Sequence, residues 1–165
     1  MTLRPWLAVR SIVWTAVIPG VVAGYVPWRY FGLAQARLLP LDPLRLLGLV
    51  GIACGAGLLV VCIWHFAVSG RGTLAPVDPP RQLVVRGPYR FVRNPMYLSV
   101  TTIIVGELLV TRSTALLAYG AVWFAAVNLF VLGYEEPTLR RRFGASYERY
   151  TGTVGRWIPR FHTAE

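Results

Sequence analysis

Apolar residues are grouped along the chain in long blocks separated by short polar stretches, a pattern governed by block length and not by one-sided periodicity. Ser11 to Trp28 is apolar with Pro19 and Gly20 at its middle, which predicts a kinked membrane helix that ends at the connection Arg29 to Pro43. Leu44 to Val68 carries Arg45 near its start and no charge thereafter; at about 1.5 Å per residue it can cross a hydrocarbon core of about 30 Å. Met96 to Val110 is shorter and contains Glu107, and the charge-free block Ala115 to Gly133 completes the set. The pattern predicts an all-α fold, a polytopic membrane helical bundle of about four transmembrane helices.

What joins the blocks refines that picture. Gly48, Gly51, Gly55 and Gly57 lie in the second block at spacings that let three of them admit a neighbouring helix closely. Ser69 to Asn94 is a long loop, and its apolar strip Leu83 to Val85 predicts a segment pressed on the bundle. After Gly133 come Tyr134, Glu135, Glu136 and Pro137, where a new helix is expected to restart with carboxylates at its positive end. Leu139, Phe143, Tyr147 and Tyr150 then share one face of a C-terminal amphipathic surface helix. One domain spans 1–165: an N-terminal helix and connection (1–43), a motif-bearing core (44–150) and a C-terminal tail (151–165).

Composition agrees with lipid as the main solvent, since 55% of the 165 residues are hydrophobic. All 17 bases are arginine, set against 7 acids. Beside spanning blocks, that surplus points to anionic lipid and cytoplasmic loops, not to nucleic acid. Four spans put 13 arginines on the side of the termini and the long loop and 4 (Arg29, Arg37, Arg45, Arg112) on the other, so both termini are expected on the cytoplasmic face of a bacterial cytoplasmic membrane. Cys54 and Cys62 read as small buried thiols, and His65, with only His162 for company, as a satisfied interfacial histidine; no metal site is expected. Glu107 sits close enough to Arg112 to predict a structural ion pair.

Candidate chemistry concentrates between Arg81 and Tyr97. Arg81, Arg86, Arg90 and Arg93 supply cations, Tyr89 and Tyr97 aromatic faces, and Gly87, Pro88 and Pro95 an irregular backbone. With Glu135 on the same membrane face, these groups suit S-adenosylmethionine: arginine for its carboxylate, glutamate for its ammonium or ribose, tyrosine near its sulfonium. A non-catalytic loop binding anionic lipid or a partner uses the same residue types. No G-x-G-x-x-G, Walker, H-E-x-x-H or serine-elbow motif is present, which disfavours soluble Rossmann, kinase and hydrolase chemistry.

The motif L-V-x-x-G-P-Y-R-x-x-R-N-P-M-Y (Leu83 to Tyr97), followed after a hydrophobic hairpin by E-E-P-x-L-x-x-x-F-G-x-S-Y-x-x-Y (Glu135 to Tyr150), resembles the integral-membrane methyltransferases related to isoprenylcysteine carboxyl methyltransferase and phospholipid N-methyltransferase. The resemblance covers the chain from about Leu44. It implies S-adenosylmethionine held by a cytosolic cofactor loop and a lipophilic methyl acceptor entering from the membrane. Residue by residue, it implies that Arg81, Gln82, Leu83 and Val84 border the cofactor, with Gly87 shaping the loop. Tyr89 packs on the cofactor, Asn94, Pro95, Met96 and Tyr97 cradle it, and Glu135, then Glu136, close the pocket. Glu135 and Tyr97 are the candidates to order the acceptor; Arg93 serves cofactor charge or an ion pair with Glu136. Two positions depart from carboxyl-methylating members: Asn94 stands where they commonly have His, and Val131 where they place an Arg that contacts the acceptor carboxylate.

Overall fold

The computed structural model describes residues 17–33, 36, 40–69 and 83–160, with backbone only for 66–69. The described residues form an all-helical chain whose single β contact is an isolated bridge between Val92 and Gly155. The first stretch passes through a π-helical turn, Val21–Tyr25, into α1, Val26–Tyr30. Gly20 is itself helical, so the distortion lies beyond the expected Pro19–Gly20 position. Pro27 accounts for it, because proline donates no hydrogen bond and its ring crowds the carbonyl one turn back, which a widened turn relieves.

The long helix α2, Pro43–Ser69, starts where Asp42 Oδ1 accepts the amides of Leu44 (3.0 Å) and Arg45 (3.1 Å). Next comes α3, Pro95–Thr111, ending on Arg112 in the left-handed conformation (φ 54°). A tight turn leads to α4, Thr114–Phe130, whose N-cap Ser113 Oγ accepts the amide of Leu116. Arg112 Nη2 reaches Asp42 at 2.7 Å, tying the start of α2 to the α3–α4 turn at one end of the bundle. This corrects the pair expected between Arg112 and Glu107: the left-handed helix end sends Arg112 to Asp42, and Glu107 is buried with Oε2 lacking a hydrogen-bond partner among the described residues. Cys62 is buried, whereas Cys54 is exposed, contrary to expectation, on the outer side of α2.

Small residues decide how α2 and α3 meet. A Cβ added at Gly48 would lie 2.6 Å from the Gly106 carbonyl oxygen, and one at Gly106 equally close to that of Gly48. Gly51 and Gly55 also face α3, while Gly57 faces open space. Three of the four glycines thus form the contact, and around it Val100, Ile103, Ile104, Leu116 and Ala23 make the largest buried cluster.

Instead of restarting at Pro137, the chain stays helical from α4 through a second π-helical turn, Val131–Glu135, into α5, Glu136–Phe143. The cause matches that at Pro27. The widened turn accommodates Pro137 in the first turn of α5 without breaking the helix. The expected C-terminal helix is divided: Gly144 (φ 48°, ψ −128°) separates α5 from α6, Ala145–Thr153. Its apolar face survives the break. Tyr147, Tyr150 and Val154 are buried together against Leu139, Phe143 and Leu83, so this face packs on the long loop.

Among the described residues two helical stretches, Pro43–His65 and Thr114–Phe143, are long and apolar enough to cross a membrane. The 17 residues of α3 reach only about 26 Å. Gly106→Ala is expected to lower stability by about 1–3 kcal/mol, because its methyl meets backbone on α2. Gly57→Ala should leave the thermal midpoint of detergent-solubilised protein near wild type; equal midpoints for both variants would contradict the packing described.

Candidate active site

Because the α2 start and the α3–α4 turn share one end, the α2 end, the α3 start and the π turn before α5 meet at the other. The loop enters this end extended through Leu83–Val85 and turns at Gly87, which begins a 3₁₀ turn, Gly87–Arg90, with Pro88 setting its first residues. Gly87 has φ 57°, and a Cβ there would fall 2.5 Å from His65 Cδ2 and Nε2. Backbone sign and close approach both require glycine. His65, half-buried at the end of α2, therefore packs on the loop backbone and is not merely an interfacial anchor.

Tyr89 is buried with Cys62 and Val84, flanked by Leu58 and Met96. Its carbonyl accepts the Tyr150 hydroxyl at 2.7 Å. Burial raises the phenols of Tyr89 and Tyr150 above their ordinary range, so both stay protonated at neutral pH and Tyr150 stays a donor. Asn94 is buried at the N-cap of α3 without bonding the helix amides; its Nδ2 instead donates to the Arg156 carbonyl at 3.4 Å. Pro95 is fully buried behind it.

The two sequence motifs meet where Tyr97 donates its hydroxyl to Glu135 Oε2 at 3.0 Å, across 38 residues of chain. Glu135 ends the π turn, and widened turns of this kind recur at functional positions. Among the described residues no guanidinium pairs with Glu135. Glu136 differs. Arg156 Nε and Nη2 reach its two oxygens at 2.6 and 2.8 Å, and Arg93 Nη1 lies 3.0 Å from Oε1. Of the two roles considered for Arg93, the ion pair with Glu136 is the contact present.

Leu83, Val84, Gly87, Tyr89, Arg93, Asn94, Pro95, Met96, Tyr97, Glu135 and Glu136 are thus gathered at one end, while Arg81 and Gln82 lie outside the described residues. No motif in the sequence points to Arg156 or to the strap that carries it. Gly155 accepts the Arg93 amide at 2.8 Å, and Trp157 Nε1 donates to Asn128 Oδ1 at 3.0 Å while its ring meets Phe124. Alternating Gly155, Arg156 and Trp157 beyond the last helix carry no periodic signal. No group of three His, Cys, Asp or Glu side chains is placed to hold a metal among the described residues.

The family model described as Phospholipid methyltransferase matches residues 44–146, from the start of α2 into α6. No curated protein and no solved structure matches the chain.

Gly87→Ala is expected to lower the thermal midpoint through both strained φ and overlap with the imidazole, about 1–3 kcal/mol from each. Adding His65→Ala should recover the overlap but not the strain. Strictly additive losses in this double-mutant cycle would mean that the two residues do not touch.

Proposed function

Because the chain belongs to the phospholipid methyltransferase family, and so is a membrane methyltransferase by kind, we propose that it transfers a methyl group from S-adenosylmethionine to a small lipophilic acceptor at the cytosolic membrane face. The observation that carries this reading is the Tyr97–Glu135 hydrogen bond, which joins both motifs at one end of the bundle. The first helical stretch and α3 complete a bundle of four spans with α2 and α4, and both termini lie on the arginine-rich cytoplasmic side.

The residues present suit the cofactor. Glu135, half-buried and free of guanidinium partners among the described residues, offers an acceptor for an ammonium or ribose hydroxyls. Asn94 and Met96 hold the cradle at the start of α3, Leu83 and Val84 border it, and Tyr89 adds an apolar wall. Arg81 and Gln82 are proposed to border the cofactor from the preceding loop. When bound, S-adenosylmethionine supplies an electrophilic methyl on a sulfonium.

The chain's own task is to align and to keep dry. Methyl displacement is in line and requires no covalent nucleophile, so fixing the reacting partners in a water-poor cleft contributes most of the rate. Tyr97 and Glu135 order the acceptor's polar group, and Tyr89, Val84 and Met96 exclude water. The acceptor bears a carboxylate, amine or thiol. Val131, fully buried and apolar where carboxyl-methylating members place an arginine, favours acceptors other than a prenylcysteine carboxylate.

Calorimetric titration of detergent-solubilised protein with S-adenosylmethionine or its demethylated product is expected to give saturable one-site binding. Glu135→Gln and Tyr97→Phe should each weaken it by about tenfold or more while leaving the thermal midpoint nearly unchanged. Absence of binding to folded protein across several detergents and lipids would overturn the proposal.

A further inference from the structure

The adjacent carboxylates Glu135 and Glu136 stand in opposite surroundings. Glu136 is buried and has both oxygens engaged by Arg156, with Arg93 on one of them as well. Glu135 meets the Tyr97 hydroxyl and no guanidinium among the described residues. The strap that delivers Arg156 is fastened on both sides: to the loop through the Arg93 amide and Asn94 Nδ2, and to α4 through Trp157 and Asn128.

We propose that Arg156 is a positioning residue for the active site: its bidentate hold on Glu136 fixes the rotation of the π turn and so presents Glu135 beside Tyr97. The physical case rests on geometry. The π turn widens the helix by one residue where Glu135 ends it, and the side-chain contacts of Glu135 and of Glu136 beside it add to what fixes where Glu135 points. A guanidinium donates two parallel N–H bonds that match both oxygens of a carboxylate and fix its plane, whereas an ammonium is a point charge that leaves the plane free. Among the described residues Arg156 is the one that hydrogen-bonds both oxygens of Glu136, so the plane of that carboxylate depends on it. The strap also links that restraint to the cradle, since the carbonyl of Arg156 itself accepts Asn94 Nδ2. The inference rests on the proposal that Glu135 serves the cofactor.

The full chain in detergent tests it by calorimetric binding of S-adenosylmethionine, with thermal unfolding measured in parallel. Arg156→Lys keeps the charge and loses the fork; it is expected to fold and to raise the dissociation constant by about tenfold or more. Arg156→Met alone leaves Glu136 with half its partners and should lower the thermal midpoint. Replacing both Arg156 and Arg93 by Met together with Glu136→Gln removes every charge of the cluster. The combined variant should regain stability while its affinity stays weak.

Wild-type affinity in Arg156→Lys would overturn the inference. So would affinity that returns together with stability in the combined variant, because Arg156 would then only neutralise a charge. A wild-type chain that takes up no S-adenosylmethionine overturns the methyltransferase proposal and this inference with it, an outcome distinct from wild-type binding that the variants leave intact.

Discussion

A carboxylate buried inside a helical membrane protein keeps its charge only where that charge is met, and Glu136 is met twice. That requirement organises the surrounding chain. Arg93 comes from the loop before α3, Glu136 from the helix after the π turn, and Arg156 from beyond α6, so one ion cluster draws together three segments remote in sequence. Backbone bonds follow the same route: the Val92–Gly155 bridge and the Asn94–Arg156 bond run alongside it. Tyr150, reaching back to the Tyr89 carbonyl, closes the arrangement from α6.

Packing at the opposite end makes this convergence possible. Gly48 and Gly106 let α2 and α3 approach almost backbone to backbone, and the Asp42–Arg112 pair pins their far ends. With these helices fixed as one body, the α2 end can hold His65 against Gly87 and Cys62 against Tyr89. The loop therefore takes its shape from a rigid wall more than from its own sequence.

The sequence makes the long elements legible because a block such as Leu44 to Val68 has one favourable fate in lipid, and the observed helix, Pro43–Ser69, differs little from it. Glycine spacing likewise foretells the α2–α3 contact, since only small residues permit it. The motif residues from Leu83 to Tyr97 and Glu135 are legible as a chemical set, and they do gather at one end. Three things escape. Helical continuity through Pro137 depends on a widened turn, which no residue type announces. The break at Gly144 is hidden because Leu139, Phe143, Tyr147 and Tyr150 keep helical spacing across it and still meet in one cluster. Arg156 escapes because an ion pair over 20 residues, from an aperiodic strap, leaves no local pattern.

The π turn has a further consequence for which way α4 faces. Leu116, Val127 and Val131 are buried at intervals of eleven and four residues, close to whole turns at about 3.6 residues each. The next buried residue, Glu136, comes five later, while Tyr134 is left exposed. The extra residue retards the phase of the helix by about 100°. In an unbroken α-helix Glu135, four residues after Val131, would have continued the inward stripe and Glu136 would have been turned away from it, toward lipid. One inserted backbone unit thus lets a single helix present hydrocarbon-compatible residues below the turn and charged chemistry to the protein interior above it, so the whereabouts of the acidic pair is a property of helix phase as much as of residue type.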